Sequence, residues 1–285
     1  MTEAFSLSDA GFRSAAAGAL ALAFGGAPLG VLLIARRMSL VGDALSHGIL
    51  PGAAIAYLLF GRDPAALTIG ALLAGLVLAA ASSLLARTGR LPEDASFAVF
   101  YLSALALGVL LMGRQQNLEV LHEMLFGAAG AMGRDAVVLS AVAATATLVA
   151  MALFIRGFLA ESADPVFTRS VGVQARALHL LLMMLVALNL VAGFRAFGAL
   201  MTVGLMMIPA AAARFWAKGY GGQAAIAVLI SATASLAGLL VAAWKGIEPG
   251  AAMTLSAASL FALSGIFGRV GGLVQNLPGR AHLEA

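Results

Sequence analysis

Apolar residues come in nine long runs, at about 12–35, 39–60, 64–86, 95–112, 135–155, 177–194, 197–213, 223–243 and 250–268, separated by short polar turns. Most of them approach the roughly 20 residues that an α-helix needs to cross the hydrocarbon core of a bilayer. The pattern predicts an all-α, polytopic helical membrane protein with eight or nine transmembrane helices, organised as a single domain over residues 1–285. The run 197–213 is the weakest unit, since at 1.5 Å per residue it reaches only about 25 Å. As a half-helix it would lower the count to eight. The longest polar stretch is 156–176, with a smaller one at 113–123. Before the first run stand Glu3 and Asp9 but no Lys or Arg, so that run is expected to be a permanent span rather than a removable signal.

The basic residues test this division. With the turn at Arg36 and Arg37 in the cytoplasm, strict alternation puts 11 of the 17 Lys and Arg on that side, among them Arg87, Arg90, Arg156, Arg169, Arg176, Arg214, Lys218, Arg269 and Arg280. The other side receives Arg13, Arg62, Arg114, Arg134, Arg195 and Lys245. The bias follows the positive-inside rule and places the C-terminus inside. Gly26 with Gly30, and Gly70 with Ala74, are spaced as small residues are where membrane helices touch.

Composition removes whole classes of function. Hydrophobic residues make up 62 % of the chain and charged ones 11 %, and 33 glycines bring the apolar-plus-glycine share to roughly three quarters, far above a soluble domain. A soluble enzyme and a nucleic-acid-binding domain are excluded, and the net charge of +4 reads as cytoplasmic loops. With no cysteine there is no disulfide, thiolate metal site or iron–sulfur cluster. The chain also lacks a Gly-x-x-x-x-Gly-Lys-Ser/Thr loop, a His-Glu-x-x-His motif and a Gly-x-Ser-x-Gly elbow, so energy from ATP would have to come from another subunit.

The remaining chemistry gathers in the second run. Asp43 and His47 stand at i and i+4 and share one helix face. His47 lies ten residues beyond Arg37, about 15 Å along a helix and close to the bilayer midplane. An ionisable group at that depth costs on the order of 2.5–3.5 kcal/mol unless it faces a cavity or a partner. A carboxylate and an imidazole suit a divalent transition ion such as zinc or manganese, although two ligands need completion by a second copy or by other helices. Pro51 has no N–H for the carbonyl of His47, which leaves that oxygen open to another donor or an ion. The competing reading is a buried Asp–His hydrogen bond that locks helix packing.

Other candidates are weaker in their chemistry. Glu119, His122 and Glu123, at i, i+3 and i+4 in an extracytoplasmic loop, would attract cations from outside or simply form a solvated helix face. His179 opens an apolar run and suits an interfacial or packing role, and His282 lies in a solvated tail. The methionines at 183, 184, 201, 206 and 207 read as packing rather than as a cuprous site. A faint internal echo links residues 49–54 with 207–212, each carrying a proline; paired proline-broken segments can mark a transport site, but a chance match is the simpler reading.

Ala27-Pro28-Leu29-Gly30 and the string from Arg36-Arg37-Met38-Ser39 through Gly42-Asp43-Ala44-Leu45-Ser46-His47 resemble the membrane permeases of zinc/manganese-type ABC importers. The likeness runs along nearly the whole chain: Leu125-Phe126-Gly127, Asp164-Pro165-Val166-Phe167 through Gly172-Val173, and Gly198-Ala199-Leu200 through Arg214 are similar to family blocks. The resemblance implies a multi-pass permease of the bacterial plasma (inner) membrane that imports Zn²⁺ or Mn²⁺, with Fe²⁺ a further candidate. It implies a homodimer, two cytoplasmic ATPase subunits, an extracytoplasmic metal-binding protein, and no permanently bound cofactor. Asp43 and His47 would line the path, and the 156–176 segment, with Asp164, Pro165 and Gly172, would couple to the ATPase. A self-contained proton-coupled carrier, with the Asp–His pair as proton relay, is the alternative. The chain lacks the long His-rich loop of some zinc members, which weakens zinc relative to manganese or iron.

Overall fold

The computed structural model describes residues 10–86, 93–113, 133–164 and 175–276, and among these only helices and turns occur. The helices are α1 (Ala10–Ala35), α2 (Val41–Gly48), α3 (Leu50–Phe60), α4 (Pro64–Ala86), α5 (Glu93–Gly113), α6 (Arg134–Ala163), α7 (Ala175–Phe197), α8 (Ala199–Ala213), α9 (Tyr220–Lys245) and α10 (Pro249–Phe267), followed by a short 3₁₀ turn at Leu273–Asn276. All nine apolar runs are therefore helical. Seven units are long and apolar enough to cross a membrane, with α2 and α3 counting together as Val41–Phe60, and two shorter apolar helices, Ala95–Leu111 and Met201–Ala213, accompany them.

Helix α1 is the hub, packed against α6, α7, α8 and α9, while α2 to α5 form a second group joined to the first mainly through α7 and α8. Helix α8 lines up with α1. Its first half shares a core with Ala15, Ala19 and Leu22 of α1, and its last half with Ala27 and Val31. It therefore runs beside α1 in the same direction. The chain reaches it through Gly198, whose φ of 83° lies in the left-handed region that glycine enters without penalty. Gly193 of α7 then lies against Thr202 of α8.

Two local features emerge in the structure. The second run does not continue unbroken: it divides at Ile49, because Pro51 cannot continue the hydrogen-bond ladder and instead sits in the first turn of α3, where a missing N–H costs nothing. Nor does the polar stretch begin as a loop at Arg156, since α6 continues to Ala163. At 30 residues it is about 45 Å long, so its C-terminal turns rise beyond a core of roughly 30 Å. Those turns hold because Phe158 is fully buried and Arg36 binds the last turn. That contact also puts the C-terminal ends of α1 and α6 on one side, as the basic-residue alternation requires.

Helices approach closely where side chains vanish. Any Cβ on Gly52 of α3 would strike the backbone of Gly70 in α4, and one on Gly70 would strike that of Gly52, with Ala74 beside them. Gly30 of α1 likewise lies against the Met206 carbonyl of α8. Several buried polar groups are matched across helices. Pro209 in α8 removes the donor for the Leu205 carbonyl, and Ser231 of α9 supplies a replacement at 3.2 Å. Asn189 of α7, almost fully buried, donates to Thr147 of α6 at 2.7 Å and to the Leu185 carbonyl at 2.9 Å.

Gly70→Val, which forces a branched side chain against the α3 backbone, is expected to cost about 1–3 kcal/mol. A lowered thermal midpoint of the detergent-solubilised protein would register it, whereas Gly133→Ala, at a position with open space around it, should leave the midpoint unchanged.

Candidate metal site

Helix α2 is enclosed on every side but one. From Val41 to Leu50 all residues are buried except Asp43 and His47. Gly42 permits close approach to Met206 and Val203 of α8, and Gly48 abuts Leu78 of α4. Helix α5 packs on a further side and brings Tyr101 to His47, with ring centroids 6.4 Å apart and planes inclined by 29°. The i, i+4 stripe of Asp43 and His47 is what remains open.

The side chains are 49 % exposed for Asp43 and 28 % for His47, and His47 Nε2 lies 3.6 Å from Asp43 Oδ1. That separation is too long for a hydrogen bond, so the pair is not a sealed packing lock. An ion placed 2.0–2.2 Å from both atoms, as zinc binds carboxylate and imidazole, would subtend about 110–130° between them, close to tetrahedral. His47 Nδ1 is buried without a hydrogen-bond partner, which leaves Nε2 as the nitrogen that looks into the opening. The Asp43 carboxylate stands in the first turn of α2 and the imidazole in its last. The Ile49 N–H donates to the Leu45 carbonyl at 3.1 Å and also faces the His47 carbonyl.

Among the described residues no group of three or more His, Cys, Asp or Glu converges, so one chain presents two ligands here. His179 is buried on α7 and distant in sequence from this stripe. Met183, Met201 and Met206 are buried core residues. Pro51 and Pro209 play different local roles, one opening α3 and the other within α8. Glu119, His122, Glu123, Pro165, Gly172 and His282 lie outside the described residues; Asp164 closes α6 in an extended conformation, its N–H bonded to the Ala160 carbonyl at 3.0 Å. Tyr101 escaped the sequence analysis, because a lone tyrosine 54 residues from its partner carries no local signal.

Residues 9–268 match the ABC 3 transport family. The chain is 30 % identical over 240 residues to the manganese transport system membrane protein MntC of Halalkalibacterium halodurans, covering 84 % of this chain and 81 % of that protein. It is 28 % identical over 239 residues to the high-affinity zinc uptake system membrane protein ZnuB of Haemophilus influenzae, covering 84 % and 90 %. The solved structure of PsaBC from Streptococcus pneumoniae in complex with Fab superposes with a TM-score of 0.83 at 27 % identity, covering 94 % of this chain and 95 % of that one.

The ring contact generates a prediction. Aromatic pairs contribute about 0.5–1.5 kcal/mol, so Tyr101→Ala should weaken Mn²⁺ or Zn²⁺ binding by roughly 2–10-fold in titrations of the purified protein. Tyr101→Phe, which keeps the ring, should bind as the unmodified chain does.

Proposed function

Because the chain belongs to the ABC 3 transport family, we propose that it is the permease subunit of an ABC importer carrying a divalent transition metal ion, Mn²⁺ or Zn²⁺, into the cytoplasm. It is a multi-pass membrane transporter subunit and not an enzyme; ATP hydrolysis falls to a separate subunit, in keeping with the missing phosphate loop. A self-contained proton-coupled carrier is not favoured, since the family ties transport to ATP.

The observation that carries the metal assignment is the open stripe on α2. An otherwise enclosed helix offers only an acid and an imidazole to its surroundings. Lipid is the most costly environment for both, so the stripe faces a water-filled path or another copy of the chain. A second copy related by a two-fold axis would bring a second Asp43–His47 pair and complete a four-ligand set. Asp43 and His47 then hold the ion in passing. Coordination must stay weak enough for release, and selectivity rests on geometry, because raw affinity favours the wrong metals. An extracytoplasmic binding protein delivers the ion, and cytoplasmic ATPase subunits dock at the segment that includes Asp164, Pro165 and Gly172. Glu119, His122 and Glu123 serve as an outer cation-attracting cluster.

In proteoliposomes holding the assembled importer, Asp43→Asn and His47→Gln should each reduce ATP-dependent metal uptake to below about a hundredth, since even outer-shell changes cost 10–100-fold. Competition among Mn²⁺, Zn²⁺ and Fe²⁺ in the same vesicles identifies the cargo. Full uptake by either variant at normal assembly would remove the pair from the path.

A further inference from the structure

The cytoplasmic end of α6 is held by a set of bonds that metal coordination does not require. Arg36, the first residue past α1, directs its guanidinium into the last turn of α6. Its Nη2 donates to Glu161 Oε2 at 2.9 Å and to the Phe158 carbonyl at 3.2 Å, and its Nε donates to Ser162 Oγ at 3.0 Å. Ser162 Oγ in turn donates to the Phe158 carbonyl at 2.6 Å. The two charged side chains are 6 % and 10 % exposed, so the pair is desolvated and its loss is felt. A planar guanidinium fork suits three acceptors on one helical turn, which an ammonium cannot reproduce.

On the other side of Arg36 the connection to α2 is stiff. Arg37 adopts φ 60°, in the left-handed region that non-glycine residues rarely enter. Its N–H donates to the Ile34 carbonyl at 3.1 Å and that of Met38 to the Leu33 carbonyl at 2.8 Å, a closed helix-ending turn in which Met38 and Leu33 are both buried. Val41, the first residue of α2, donates to the Met38 carbonyl at 3.2 Å. From Glu161 to Asp43 there is thus an unbroken sequence of short bonds with no slack loop. Helix α6 packs against α1 and α7, while α2 packs against α3, α4, α5, α7 and α8, so the two helices share α7 as a packing neighbour and the Arg36 turn adds a polar link between them.

We propose that Arg36, Glu161 and Ser162 form the latch that transmits displacement of the segment following α6 to the helix bearing Asp43 and His47. These are positioning residues for transport. The proposal rests on the reading that the 156–176 segment meets the ATPase. Fixing the end of α6 to the turn before α2 lets one rigid movement at the cytoplasmic face tilt the metal stripe. Without the fork, the ATPase would still hydrolyse ATP but the stripe would follow its motion poorly.

The test is the number of metal ions taken up per ATP hydrolysed by the importer reconstituted with its ATPase and binding protein. Arg36→Lys keeps the charge but not the fork, and Glu161→Gln keeps the volume but not the charge; each should lower that ratio roughly fivefold or more, the low end of typical coupling strengths, while ATP hydrolysis and ATPase association persist. The exchange of Arg36→Glu with Glu161→Arg should recover part of the ratio. A latch that serves stability alone would lower the melting midpoint and leave the ratio intact, and that result overturns the proposal. Gly172→Pro separates the underlying reading: loss of ATPase co-purification upholds docking at that segment, whereas an ATPase that stays fully bound overturns it and the latch with it.

Discussion

An acid and an imidazole at membrane depth must meet water, a counter-group or an ion, and the arrangement of α2 follows from that requirement. Its neighbours crowd every face that can be apolar, through Gly42 toward α8, Gly48 toward α4 and Tyr101 from α5. The single stripe they leave open holds Asp43 and His47. The enclosure does chemical work as well as packing. It buries His47 Nδ1, turns Nε2 outward, and leaves it 3.6 Å from Asp43 Oδ1.

The surrounding bundle obeys a related economy of polar groups. In a bilayer, association draws on close packing and on hydrogen bonds between helices, since lipid tails are as apolar as leucine. Gly52 against Gly70, and Gly30 against the α8 backbone, supply the first. Ser231 at the Leu205 carbonyl, Asn189 with Thr147, and Arg36 on the last turn of α6 supply the second. Two of these polar contacts stand where a helix is interrupted or ends, which is where backbone oxygens lack partners. The irregular points of the fold, at Ile49, Gly198 and Pro209, are accordingly not defects. At Ile49 and Gly198 one helix ends and the next begins, and at Pro209 the carbonyl left without a donor is taken up by Ser231.

With Asp43 and His47 as the proposed metal stripe and Arg36 with Glu161 and Ser162 as the proposed latch, the subunit acquires a mechanical layout. The hub helix α1 ends at the latch, its rigid turn leads into α2, and α2 carries the open stripe into the bundle. Transport needs a site that is accessible from one side and then from the other, and a broken helix anchored at its cytoplasmic entry is suited to rock as a unit. Rigidity near the latch and interruption at Ile49 are complementary in this respect.

Apolar run lengths were enough to determine a multi-pass helical protein and its nine apolar units, because a bilayer demands internal backbone bonding and about 20 apolar residues per crossing. The i, i+4 spacing of Asp43 and His47 was equally legible, since helical geometry alone puts them on one face. Local spacing could not say whether that face was sealed or open; exposure depends on α4, α5 and α8, which come from distant parts of the chain. The same limit hid Tyr101 beside His47 and Arg36 against Glu161, partners 54 and 125 residues apart. It also misplaced the end of α6, because Arg156 reads as polar loop until Phe158 is buried by other helices and Arg36 closes the final turn. Local sequence thus specified which helices form, and only packing between distant helices decided which polar groups face one another and which stay open.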